Sequence, residues 1–124
     1  MVDYRQPFSG FSARDVQEAV TFYSDVLGLD ASVDANGMGR IDLGGDHWVL
    51  VYPKGDAHVA PSATILNLPV DDVSAAVREL ATRGVRFERY DGMPQDDDGV
   101  MKGHGPDIAW FTDPSGNVFS IIAA

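Results

Sequence analysis

Asp15-Val16-Gln17-Glu18-Ala19-Val20-Thr21-Phe22-Tyr23-Ser24-Asp25-Val26-Leu27-Gly28-Leu29 is the stretch on which the reading of the fold turns. Val16, Ala19, Val20, Tyr23, Val26 and Leu27 recur at three- and four-residue spacings, which places them on one face of a helix. Asp15 suits the N-cap, with Glu18 three residues on, and Gly28 is a natural stop; the spacing predicts a helix over about 15–27. The same opening returns 57 residues later as Asp72-Val73-x-x-Ala76-Val77, with Leu80 and Ala81 continuing the face until Gly84. Two capped helices with one face pattern at matching places point to an internal duplication.

The flanks repeat as well. Before the first helix, residues 7–13 form a short strand; after it, 31–34 and 38–43 flank Asn36-Gly37, a dipeptide suited to a type I′ hairpin turn. Residues 48–52, rich in β-formers, close the first half. Residues 53–62, with two prolines, Gly55 and no apolar period, read as a linker. Beyond it come a strand at 64–70, the second helix, a strand at 85–90, a long polar loop, a strand at 108–112 and a closing strand at 118–122. The last is launched by Asp113-Pro114-Ser115-Gly116-Asn117, a tight turn with Pro114 to preset one dihedral and Gly116 and Asn117 to tolerate a positive φ. Each half therefore reads β-α-β-β-β, an α+β chain of one domain over 1–124, with module one about 7–53, the linker about 53–62 and module two about 63–123.

Composition narrows the chemistry. With no cysteine there is no disulfide, thiolate metal site or thiol nucleophile. Nine basic residues against nineteen acidic ones give a net charge of −10, which repels phosphate backbones and anionic head groups, so neither nucleic acid nor a membrane is an expected partner. The same charge suits a cationic ligand, although it more often serves solubility. Residues 1–7 lack a basic start followed by an apolar core, and no run approaches the roughly 20 apolar residues of a membrane span; the expected location is cytoplasmic.

The stretch Asp15-Val16-x-x-Ala19-x-x-Phe22-Tyr23-x-x-Val26-Leu27-Gly28-Leu29, the later Asp113-Pro114-x-Gly116-Asn117 and the preceding Ala109-Trp110-Phe111 resemble the vicinal oxygen chelate superfamily, which covers glyoxalase I, extradiol dioxygenases, fosfomycin-resistance enzymes and bleomycin-resistance binding proteins. The resemblance implies two βαβββ modules forming a cupped, mostly antiparallel eight-stranded sheet with helices outside and a ligand within. It also implies a homodimer, with modules paired inside one chain or swapped between two.

In the metal-dependent members, one ligand, usually His, lies seven residues before the Asp that starts each helix, and a Glu lies seven residues after the Asp of the final turn. Carried over, these places hold Phe8, Ile65 and Ser120, and the equivalent place in the first module's last strand falls near Leu50. Phe, Ile and Leu have no donor atom, and a neutral Ser hydroxyl is a poor substitute for a carboxylate. The expectation is no metal and no other cofactor.

Other donors are scattered. His58 lies in the linker and reads as solvated, His47 as a polar strand edge, and His104, between Gly103 and Gly105, is the one weak candidate for binding or acid/base work. The run Asp96-Asp97-Asp98-Gly99 lacks the spacing and terminal Glu of a calcium loop and reads as solvated. The loop 91–106 is long enough for a lid, with Met93, Met101 and His104 set to lean over a cup.

Strand alternation, counted from the carried-over positions, assigns Phe8, Gly10, Ser12, Trp48, Leu50, Tyr52, Ile65, Asn67, Val118, Ser120 and Ile122 to the cavity side. Phe11, Val49, Val51, Leu66, Leu68, Phe119 and Ile121 fall under the helices. The expected ligand-binding set is Phe8, Trp48, Leu50, Tyr52, Ile65, Asn67, Met101, His104 and Ser120, for a small amphipathic or aromatic molecule. Two readings stay beside binding: a metal-dependent lyase, isomerase or dioxygenase, and a metal-free acid/base enzyme.

Overall fold

Asp15 and Asp72 cap their helices in the same way in the computed structural model, which describes residues 1–124: each carboxylate accepts a hydrogen bond at 3.0 Å from the N–H three residues on, Glu18 and Ala75 respectively. The chain divides into two compact units, residues 1–59 and 60–124.

The first unit contains β1 (Ser9–Ala13), α1 (Val16–Thr21), β2 (Asp30–Val33), β3 (Gly39–Gly44) and β4 (His47–Pro53). The sheet order is β1-β4-β3-β2, with β1 and β4 parallel and the other pairs antiparallel. The predicted 15–27 helix is α-helical only to Thr21; Phe22–Val26 form a π-helical turn, in which the Leu27 N–H donates to the Phe22 carbonyl at 3.1 Å. At the end of this widened turn Val26 and Leu27, expected on the buried face, are only half-buried. Tyr23, at that turn, is fully buried with Phe11 and Phe22 edge-on to it. Val16, Ala19 and Val20 of α1 share the core with Phe11, Ile41, Val49 and Val51. The helix lies close to β3 at Gly39, where a Cβ would stand 3.0 Å from both Val16 Cγ1 and Val51 Cβ and the neighbours would have to give way.

The 34–38 hairpin is not type I′. That turn needs positive φ at both central residues, and only Gly37, at 81°, has it. Instead, the Asp34 carbonyl accepts from Gly37 N–H at 3.1 Å, and its carboxylate accepts from the N–H groups of Asn36 and Met38 at 2.8 and 3.0 Å. An Asp at the first turn position thus selects a type I turn closed by a left-handed glycine.

The second unit contains β5 (Thr64–Val70), α2 (Val73–Thr82), β6 (Ile108–Thr112) and β7 (Val118–Ala123), in the sheet order β5-β7-β6. Here too the first and last strands pair in parallel and the hairpin is antiparallel. Val73, Val77 and Leu80 of α2 are buried, as are Phe111, Phe119 and Ile121 of the sheet.

Seven strands form, not the expected eight. Residues 85–90 make a single bridge, Phe87 to Phe111. The Gln95 side chain supplies the reason: its amide donates to the Glu88 carbonyl and its oxygen accepts from the Tyr90 N–H, both at 2.9 Å, so one side chain occupies backbone groups that a strand would pair. The 91–106 loop is likewise more ordered than a polar loop without a period. Asp96 repeats the Asp34 turn, accepting from Asp98 and Val100 N–H at 3.0 and 2.9 Å, and Met101 exchanges backbone hydrogen bonds with Ile108.

No helix is long and apolar enough to cross a membrane.

Candidate functional site

Each sheet has one face under its helix and one without. Val49 and Val51 are buried on the helix side of the first unit, while Trp48, Leu50 and Tyr52, one residue out of phase, are half-buried. Phe8, just before β1, is exposed and stacks on Trp48 with ring centroids 4.1 Å apart and planes 23° from parallel. The Arg40 guanidinium lies 4.4 Å from the Trp48 ring centroid and is also paired with Asp42 at 2.9 Å. Phe8, Leu43, His47 and Trp48 line a shallow depression of about 300 Å³.

At the other end of that face, Ser12 is opposite Tyr52 in the β1–β4 register. Its hydroxyl is 2.7 Å from His58 Nδ1. The solvated reading of His58 is therefore wrong: the imidazole is half-buried and bonded across 46 residues of sequence, a pairing that local patterns do not encode.

In the second unit, parallel pairing sets Asn67 opposite Ser120, and the Ser120 hydroxyl donates to Asn67 Oδ1 at 2.5 Å. Ser120 is fully buried on the central strand, whereas Asn67 is exposed. Ile65 departs from the alternation count. Thr64 pairs with Val118 and Leu66 with Phe119, so Ile65 is the extra residue of a bulge and the ladder sets Thr64 on the side of Asn67 and Ser120.

Trp110 of β6, directly opposite Ser120 of β7, belongs to the same side and is absent from the expected set. Tyr90 meets it edge to face, with centroids 5.5 Å apart and planes at 68°. Glu88 joins them through its N–H, which donates to the Trp110 carbonyl at 2.7 Å. Partial burial, and then the Glu88 charge, raise the Tyr90 hydroxyl above the ordinary phenol pKa. The missed signal was the alternation along 108–112, which puts Trp110 out of phase with the buried Phe111.

Met101 is half-buried and held at the edge of β6; Met93 and His104 are exposed, His104 between two glycines of positive φ. The acidic run is engaged by the protein itself. Asp98 pairs with Arg78 at 3.1 Å, Arg89 donates to the carbonyls of Asp96 and Asp97, and Lys102 lies 3.7 Å from Asp96. Partial burial pushes the Asp96 carboxyl up, but the N–H groups of Val100 and Asp98 and the charges of Lys102 and Arg89 outweigh it and hold the pKa below the ordinary value. No group of three or more His, Asp or Glu side chains is arranged to hold a metal ion.

Residues 9–121 match the family model described as Glyoxalase/Bleomycin resistance protein/Dioxygenase superfamily. Similar solved structures include an antibiotic binding protein, TnmS3, from Streptomyces sp. CB03234, at 24% identity over 98% of both chains with a TM-score of 0.65. A member of the same superfamily from Sphaerobacter thermophilus is 21% identical over 97% of this chain and 98% of its own, with a TM-score of 0.68. Lactoylglutathione lyase from Agrobacterium tumefaciens is 18% identical, covering 98% and 95%, with a TM-score of 0.65. At these identities the likeness establishes the fold alone. No curated protein sequence matches the chain.

Proposed function

The chain belongs to the Glyoxalase/Bleomycin resistance protein/Dioxygenase superfamily, and from that premise we propose that it binds a small amphipathic or aromatic molecule on its uncovered sheet faces without a metal ion. One observation carries this reading, the Ser120–Asn67 hydrogen bond. At the place where the metal-dependent relatives are expected to offer a carboxylate, this chain has a neutral hydroxyl already committed to an amide oxygen. The other three places, Phe8, Leu50 and Ile65, carry no donor atom, so the residues do not fit a divalent cation. The helix-free face of the first unit suits an organic ligand, with Phe8, Trp48 and Tyr52 supplying rings; on the second unit Asn67 offers an exposed amide. A neighbour of the same fold is an antibiotic binding protein, which fits a binding role.

A second reading, catalysis without a metal, has one observation in its favour, the Ser12–His58 pair, and would rest on His58 rather than His104. One experiment separates the readings. Protein purified without chelator is expected to carry no stoichiometric divalent ion by elemental analysis. In a thermal-shift screen of metabolites and antibiotics, a hit is expected to raise Tm and to be recovered unchanged. One ion per chain, or recovery of a transformed compound, would sink metal-free binding.

A further inference from the structure

We propose that Trp110, Tyr90 and Glu88 form a half-cage for the ammonium group of a small organic cation. This rests on the binding role above and gives it a ligand class. Three features support it. First, the Trp110 and Tyr90 rings stand at 68° with centroids 5.5 Å apart, two steeply inclined aromatic surfaces of the kind that present negative π-faces to an alkylammonium group. Both are incompletely buried, so a ligand reaches them.

Second, Glu88 is half-buried and shares their side of the unit. Phe87 packs edge-on against Phe111 on the helix side, and Glu88 alternates with it, its N–H bonded to the Trp110 carbonyl. Its carboxylate charge is felt at the Tyr90 hydroxyl.

Third, that carboxylate has no cation of its own. Glu88 takes part in none of the ion pairs of the chain. Arg89, its neighbour, is turned to the carbonyls of Asp96 and Asp97, and Arg86, two residues back, makes no ion pair with it. A partly desolvated, uncompensated carboxylate beside two aromatic rings is stabilised by a cation that is large, weakly hydrated and able to lie on both rings. A quaternary or tertiary ammonium meets those demands, and a strongly hydrated metal ion does not. The net charge of −10 draws such ligands in.

Choline and its uncharged isostere, in which carbon replaces the quaternary nitrogen, test this directly. The protein has two tryptophans, and Trp48→Phe assigns their indole N–H resonances. Choline is expected to shift the Trp110 resonance along a saturating curve, and the isostere to bind at least about tenfold more weakly, a difference of one cation–π contact plus one ion pair. Glu88→Gln is expected to weaken choline by about tenfold while the Trp48 resonance stays in place. The wild-type contrast stands even if that variant folds poorly. Equal affinity for choline and the isostere, or a Trp110 response to choline no greater than to sodium chloride, overturns the half-cage and leaves metal-free binding untouched. Bound metal or a transformed ligand would fail the binding role and leave the choline result standing.

Discussion

Asp113 is a buried carboxylate that accepts from the N–H groups of Ser115 and Asn117 at 2.9 Å and from the Asn117 side-chain amide at 3.1 Å. Asp34 makes the two backbone bonds of the same turn in full exposure. Removing a buried acceptor strands its donors, while water replaces an exposed one. Asp113→Ala is therefore expected to cost on the order of 3 kcal/mol, roughly 10 °C in Tm, and Asp34→Ala under about 1 kcal/mol; equal losses on thermal melting would refute this account of the turn. Site residues were legible to the extent that alternation governs them. That Asn67 and Ser120 share a side follows from two strands whose phase is set by neighbouring apolar residues; their direct pairing depends on the register. Ser12–His58 and Tyr90–Trp110 were not legible, because each joins a strand residue to an irregular segment whose course is fixed only by tertiary packing.

Among the elements, α1 and α2 were readable from capping and apolar spacing, and both caps formed as expected. What could not be read were places where one side chain replaces backbone pairing: Gln95 taking the partners of an eighth strand, and Asp34 choosing the turn type. Gly39 was equally silent in the sequence. There β3 lies close to α1 and β4, with Val16, Val20 and Val51 all within 3.1 Å of a would-be Cβ. Its φ is not positive, so a side chain there is opposed by space alone. Gly39→Ala is expected to destabilise by about 1–3 kcal/mol through overpacking, measured by urea unfolding. A neutral result would mean that α1 shifts away freely.

At the scale of the whole molecule, nineteen acidic residues make the protein's field long-ranged at low ionic strength. The Debye length shrinks from about 30 Å at 0.01 M salt to about 8 Å at 0.15 M. Choline affinity is therefore expected to fall several-fold across that range while that of the neutral isostere holds steady, as read by titration; parallel behaviour of the two would show that charge plays no part. The parallel pairing of first and last strands in each unit has a further consequence, in time rather than energy. β5 ends at Val70, yet its sheet partner β7 begins only at Val118. At translation rates of about 5–20 residues per second, several seconds separate the synthesis of the two. Through that interval β5, with Ile65, Leu66, Leu68 and Val70, emerges from the ribosome as an apolar edge with no strand beside it. The second unit therefore cannot complete its sheet around β5 until β7, Val118–Ala123, has been made.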